Sequence, residues 1–130
     1  MRIYDILFKM LARIDLLYKS GRSKLRPQVK YSKYSSGKVV YEVKLEAKIL
    51  FNKQSGNLFY SDLTIDIPSD ITQPIELKTA HGHFDYGNGL CGLVCSGMSA
   101  TSAKFYCWCA TRETSGLDKK GVIYIVGRWK

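Results

Sequence analysis

The apolar residues of this 130-residue chain change their spacing near Val39, and that change constrains the fold more than any other feature. From Arg2 to about Lys19, apolar residues recur at alternating intervals of four and three, which is typical of an amphipathic helix. From Val39 onward they alternate with polar residues, which is typical of a strand with one buried face. The sequence therefore predicts a short N-terminal helix followed by a mainly β body.

The N-terminal segment, residues 1–20, has the spacing of a coiled-coil seam. A helix this short is marginally stable in water, so it needs a packing partner, and we expect it to mediate oligomerisation. Charged residues interrupt every apolar run within it, so we expect neither a signal peptide nor membrane insertion. The predicted seam residues are Ile3, Leu7, Met10, Ile14 and Leu17.

Residues 21–38 are rich in Ser and Lys and are predicted to form a basic linker. Residues 1–38 contain ten basic and two acidic side chains, whereas the rest of the chain contains ten basic and nine acidic ones. A basic segment joined to a nearly neutral body indicates an acidic partner for that segment. The candidate contacts are Arg22, Lys24, Arg26, Lys30 and Lys33.

The body, residues 39–130, reads as a series of short strands joined by Gly, Ser and Asn turns. Along the first strand, one face carries Tyr41, Val43, Leu45, Ala47, Ile49 and Phe51. Further strands are predicted at about 58–67, 75–83, 90–98, 103–112 and 121–129. Strands at this spacing predict an antiparallel β-sandwich or barrel.

The cysteines Cys91, Cys95, Cys107 and Cys109 lack the paired C-x-x-C spacing of a structural zinc site. Cys107 and Cys109 lie two apart on one predicted strand, at the edge of disulfide geometry, so we do not expect them to bridge each other. Buried thiols are the expectation.

No set of residues combines an acid, a base and a nucleophile. His81 and His83 share one face of a strand but have no third metal ligand nearby in the sequence. Asp62 and Asp66 fall on the polar face of an alternating strand, where solvation explains them. We therefore expect a non-enzymatic protein with no catalytic residues, no metal and no cofactor.

The layout resembles small structural proteins of tailed bacteriophages and prophages, namely tail-fibre tips and receptor-binding heads. The resemblance rests on the opening segment 1–14, on the strand-rich body with Ser, Thr and Gly turns, and on the closing segment Gly121–Lys130, which reads GVIYIVGRWK.

The resemblance implies a homotrimer of jelly-roll-like sandwiches joined through their N-terminal helices. The implied function is attachment, either to a host surface glycan or protein or to another virion protein, and the implied location is a virion assembled in the bacterial cytoplasm. Two alternatives remain open at this point. The basic segment, interleaved with Tyr31 and Tyr34, has the composition of a nucleic-acid-binding arm. The body also suits a small carbohydrate-binding domain.

Overall fold

The described part of the chain forms one short helix and nine strands. A computed structural model describes residues 2–7, 16–85, 91–110 and 117–130. The helix covers residues 3–7. The strands are β1 Leu17–Arg22, β2 Val29–Tyr34, β3 Lys38–Ile49, β4 Lys53–Ser55, β5 Leu58–Asp66, β6 Glu76–Phe84, β7 Cys91–Met98, β8 Ser102–Cys109 and β9 Leu117–Arg128.

The strands form two sheets. The first sheet has the order β1-β2-β3-β9-β6 and the second has the order β4-β5-β8-β7. Every neighbouring pair is antiparallel. The two sheets share one apolar core, so the predicted antiparallel sandwich behind a short N-terminal helix is confirmed. None of the helices among the described residues is long and apolar enough to cross a membrane.

The alternation predicted from Val39 onward builds the core. Side chains at odd positions of β3 point inward, including the fully buried Val39 and Tyr41. Ile123 and Ile125 on the neighbouring β9 are also fully buried, and Phe105 on β8 meets them from the other sheet. Burying a side chain as large as Phe contributes about 1.5–3 kcal/mol, so this layer holds the two sheets together.

A second apolar cluster fills one end of the sandwich. Ile49 and Phe51 lie at the end of β3 and just beyond it, and both are buried. They pack with Cys107 and Cys109 of β8, and the cluster extends to partly buried residues on β5, β6 and β7. The predicted burial of the cysteines therefore holds for Cys107 and Cys109, whereas Cys91 and Cys95 are half-buried.

The predicted helix and linker are wrong where they overlap the first two strands. Residues 17–22 form β1, not the end of a helix, and β2 occupies residues 29–34 of the predicted linker. Tertiary pairing overrides the helical spacing because Val29 and Tyr31 alternate into the core and give β1 a strand to pair with. Gly21 lies against the Tyr31 ring, and a Cβ atom there would be 2.9 Å from Cε1.

A carboxylate joins the β1–β2 hairpin to the corner between β5 and β6. Asp70 accepts hydrogen bonds from the Ser23 hydroxyl at 2.7 Å and from the Lys24 backbone N–H at 2.6 Å. A weaker bond comes from the Leu25 N–H at 3.3 Å. These donors hold the pKa of Asp70 below its usual value, chiefly through the Ser23 hydroxyl. The hairpin is thus fastened to the rest of the sandwich.

Candidate functional site

Three large aromatic side chains lie together on the outer face of the second sheet. Odd-numbered residues of β8 point into the core, so Tyr106 and Trp108 point outward. Trp108 pairs with Tyr60 of β5 across the sheet. The Tyr60 and Tyr106 rings meet edge to face, with centroids 5.4 Å apart and an interplanar angle of 77°. We call Tyr60, Tyr106 and Trp108 the aromatic surface.

Smaller apolar side chains extend the aromatic surface into an open cleft of about 340 Å³. Leu58 and Val94 flank the rings and are 42% and 52% exposed, and Tyr106 is 45% exposed. Apolar side chains that stay this exposed and lie side by side are typical of an interaction site. The cleft is lined by Ser55, Leu58, Tyr60, Val94, Tyr106 and Trp108.

Charged groups border the aromatic surface. Lys53 on β4 donates to Asp62 on β5 at 2.5 Å, and both side chains are about half exposed, at 54% and 55%. The hydrogen bond to Asp62 raises the pKa of Lys53. The Lys53 ammonium also lies 5.9 Å from the centroid of the Tyr60 ring. The aromatic surface therefore has an apolar floor and, beside Tyr60, a rim with both a hydrogen-bond donor and an acceptor.

This arrangement suits binding. Exposed aromatic faces pack against flat apolar surfaces of a ligand, and the rim provides hydrogen bonds that orient it. Within the part of the chain that the structure describes, no group of three or more His, Cys, Asp or Glu side chains could hold a metal ion. Asp62, the carboxylate described at this rim, is bound to Lys53.

The role of the five seam residues in oligomerisation stays a prediction. Ile3 and Leu7 lie on the short helix and are 69% and 47% exposed. Met10 and Ile14 fall outside the described residues. Leu17 lies on β1, where it pairs with Tyr34, so its expected place on a helical seam is wrong. The Leu17 side chain is nevertheless exposed, so any contact it makes with a partner would come from strand β1 and not from a helix.

The five basic residues predicted to contact an acidic partner do not form one patch. Arg22 and Lys30 are neighbours across β1 and β2 on the outer face of the first sheet. Lys33 lies three residues further along β2 and so faces the opposite side, where its ammonium is 4.6 Å from the centroid of a Trp129 ring. Lys24 and Arg26 lie in the turn between the two strands.

The two histidines lie on the outer face of the first sheet. His81 stacks on Tyr124 with ring centroids 5.5 Å apart, and His83 pairs with Val122. Both imidazoles are exposed. Asp66 is exposed on β5, as its place in the alternating pattern predicted.

Sequence reasoning missed the aromatic surface. Aromatic residues on strands are normally assigned to the core, and Phe59 next to Tyr60 and Phe105 next to Tyr106 conceal which member of each pair faces outward. The outward positions are fixed by the alternation of Phe105, Cys107 and Cys109, which are all buried. That pattern was the available signal, because it leaves Tyr106 and Trp108 on the other face.

The fold is shared with solved tail-fibre structures. A C-terminal part of the R1 pyocin fibre of P. aeruginosa matches with a TM-score of 0.52 and 14% identity, over 83% of this chain and 26% of that one. This chain thus spans about a quarter of that fibre chain. An N-truncated R1-type pyocin tail fibre matches with a TM-score of 0.53 and 12% identity, over 97% of this chain and 94% of that one.

No protein-family model matches the chain, and no curated protein sequence matches it. The comparison therefore concerns the fold. At that level the predicted resemblance to tail-fibre structural proteins is confirmed, since this sandwich has the fold of the R1-type pyocin tail fibre.

Proposed function

We propose that the chain is a non-enzymatic structural module of a phage-type virion, and that it attaches the particle to its host by binding a surface glycan. The observation that carries this proposal is the aromatic surface of Tyr60, Tyr106 and Trp108, exposed beside the Lys53–Asp62 ion pair. The shared fold with a tail fibre supports the virion setting. The chain crosses from one sheet to the other after β3, β5, β6 and β8, and these crossings support a jelly-roll-like winding.

A sugar ring matches the chemistry of this cleft. One face of a pyranose presents C–H groups, which pack on an indole or phenol ring, while its edge carries hydroxyl groups that need donors and acceptors. The rings of Tyr106 and Trp108 supply the apolar contact. Lys53 and Asp62 supply both hydrogen-bonding roles at the rim. An aliphatic side chain would also pack on the floor, but it has no hydroxyl groups along its edge to bond with the rim.

The test is binding of the full chain to an array of bacterial surface glycans, followed by titration of soluble saccharides. We expect Trp108→Ala to weaken binding about tenfold or more, because aromatic contacts dominate such interfaces. Tyr124→Ala is the matched control, since it removes a ring of similar size from the outer face of the first sheet. Equal affinity for Trp108→Ala and the unaltered chain would contradict the proposal.

The proposed assembly is a homotrimer in which the N-terminal segments meet. Its support is the exposure of Ile3 and Leu7 on the short helix, which a packing partner would cover. The test is the mass of the full chain in solution by light scattering. We expect a trimer, and we expect Leu7→Asp to dissociate it, whereas Arg2→Asp, a charge change on an exposed neighbour, does not. A monomeric full chain at the concentrations used for glycan binding would contradict this assembly.

Binding of nucleic acid through the basic segment has less support, because Lys30 and Lys33 face opposite sides of β2. Salt-dependent binding of DNA or RNA in the same titrations, lost on Arg22→Ala and Lys30→Ala, would favour that function instead. Attachment to a host protein would show as binding to host cells that persists after the surface glycans are removed enzymatically. Attachment to another virion protein would show as binding to that protein in the absence of any glycan.

A further inference from the structure

Two cysteine side chains face each other across β7 and β8. Cys91 pairs directly with Cys109, and their Sγ atoms are 2.9 Å apart. Neither thiol is needed for the glycan-binding function proposed above. We propose that Cys91 and Cys109 form a redox modification site, a dithiol that a low-molecular-weight disulfide oxidises to a disulfide across the two strands.

The backbone geometry suits this bond. Directly opposed residues of an antiparallel pair have Cα atoms about 4.5 to 5.5 Å apart, and disulfides span Cα separations of about 4.4 to 6.8 Å. The sulfur atoms need to approach from 2.9 Å to a bond of about 2.05 Å, which rotations about the Cβ bonds accomplish without moving the strands. The sheet therefore holds the two thiols ready to react with each other.

The other two cysteines are not placed for this reaction. Cys95 pairs with Phe105, and its sulfur lies 3.7 Å from the Gly97 carbonyl oxygen. Cys107 is fully buried and pairs with Leu93 on one side and Ser61 on the other. Pairing thus selects one couple among four thiols.

Oxidation takes two thiol–disulfide exchanges. The Cys91 thiolate attacks one sulfur of oxidised glutathione, which forms a mixed disulfide and releases one glutathione thiolate. The Cys109 thiolate then attacks the Cys91 sulfur, which breaks the mixed disulfide and releases the second glutathione. The protein loses two hydrogen atoms and is oxidised, while one glutathione disulfide is reduced to two thiols. Cys91 takes the first step because it is half-buried, whereas Cys109 is buried.

The bond would join the first residue of β7 to the last residue of β8. The adjacent pair is Gly92 and Trp108, so the disulfide would fix the register of the two strands one position from Trp108. A reducing cytoplasm keeps such thiols reduced, and an oxidising exterior favours the disulfide. For a protein made inside a cell and released from it, the site would respond to that transfer.

The experiment exposes the folded full chain to oxidised glutathione and then alkylates the remaining thiols under denaturing conditions. We expect two alkylated cysteines in place of four, a mass lower by two hydrogen atoms before alkylation, and no retained glutathione. Proteolysis after Lys104 separates Cys91 and Cys95 from Cys107 and Cys109. Fragmentation of the linked peptides then identifies the bridged pair in the unaltered chain, with no variant required.

Cys95→Ser is the matched control, and it should still lose two thiols, whereas Cys91→Ser should lose none. A bridge that includes Cys95 or Cys107 would overturn the proposal. A stable glutathione adduct on Cys91 without a bridge would overturn it as well. Neither result affects glycan binding, which is measured with the reduced protein, so the two proposals are tested separately.

Discussion

Gly92 lies directly opposite Trp108 on the neighbouring strand, and the indole ring covers it so closely that a Cβ atom at Gly92 would be 2.4 Å from the ring. The glycine thus sets the height of the ring above the second sheet. Any side chain at this position has to displace the indole, which is the largest member of the aromatic surface. The position of a binding group is therefore controlled from the adjacent strand.

We predict that Gly92→Ala displaces the Trp108 ring and destabilises the sandwich by about 1–3 kcal/mol, as is typical of overpacking. Indole fluorescence reports the displacement when the second tryptophan is removed by Trp129→Phe, and chemical unfolding reports the stability. Gly97→Ala is the control on the same strand, because a Cβ atom there meets nothing within 4 Å. Identical spectra for the two variants would show that Gly92 does not support the ring.

The buried hydroxyl of Tyr41 donates to the Thr72 carbonyl oxygen at 2.5 Å, and the Tyr41 side chain is fully buried. We predict that Tyr41→Phe lowers the free energy of unfolding at pH 7 by about 1 kcal/mol, the usual net contribution of such a bond. Denaturant titration measures this change. Tyr106→Phe, which alters an exposed phenol, should cost much less.

Burial also raises the pKa of Tyr41 above its usual range, so the folded state keeps the hydroxyl protonated. The contribution of the protonated Tyr41 hydroxyl to the free energy of unfolding is therefore fully present below the unfolded pKa of about 10. Above that pH it declines by up to about 1.4 kcal/mol per pH unit. Tyr41→Phe lacks this ionisation. At pH 7 the variant has a lower free energy of unfolding than the unaltered chain, and we predict that this difference shrinks as the pH rises above about 10. A difference that stays constant would contradict the burial argument.

Asp70 provides an acidic counterpart. The hydrogen bonds to Asp70, chiefly that from Ser23, lower the pKa of its carboxyl group in the folded state. They therefore stabilise the fold above the unfolded pKa of about 3.9, and this contribution is lost as the pH falls through the lower folded pKa. We predict that Asp70→Asn unfolds at a lower temperature than the unaltered chain at pH 7. Thermal unfolding at several pH values should show the two chains converging below about pH 4. Asp66→Asn, on an exposed side chain of β5, should change little.

Formation of the proposed Cys91–Cys109 disulfide should depend steeply on pH. Burial and then the neighbouring Cys109 thiol raise the pKa of Cys91 to about 11, although the Lys119 ammonium acts in the opposite direction. Because the thiolate is the nucleophile, we predict that the oxidation rate rises about tenfold per pH unit between about pH 7 and 9. Quenched alkylation over time measures the rate. A rate that is flat across this range would show that the Cys91 thiolate is not the attacking group.

The sequence predicted the parts of the fold whose alternation is uninterrupted. β3 and β9 follow directly from their apolar residues, because a period of two on a long strand leaves one solution for the buried face. The β1–β2 hairpin was missed because its stability comes from long-range pairing, and its Lys and Ser residues match the composition of a linker. The available signal was the alternation of the apolar residues Val29 and Tyr31 with polar ones. It is too short to predict a strand within a segment that is rich in Ser and Lys.

The candidate site could not be predicted from the sequence, for a related reason. Tyr60 on β5 is more than forty residues from Tyr106 and Trp108 on β8, and only the β5–β8 register brings them together. Their chemistry was visible in the sequence, but their proximity was not. The basic residues illustrate the converse, since Lys30 and Lys33 are close in sequence and face opposite sides of the sheet.

Among the described strands, the longest pairing joins β3 to β9, with Lys38 opposite Arg128 and Ile49 opposite Leu117. A ribosome synthesises β9 after β1 to β8, and β9 lies between β3 and β6 in the first sheet. Until it emerges, those two strands expose unsatisfied edges that invite pairing with other nascent chains. Completion of the sheet must therefore wait until β9 has been synthesised, and a molecule interrupted before Leu117 would be prone to aggregate.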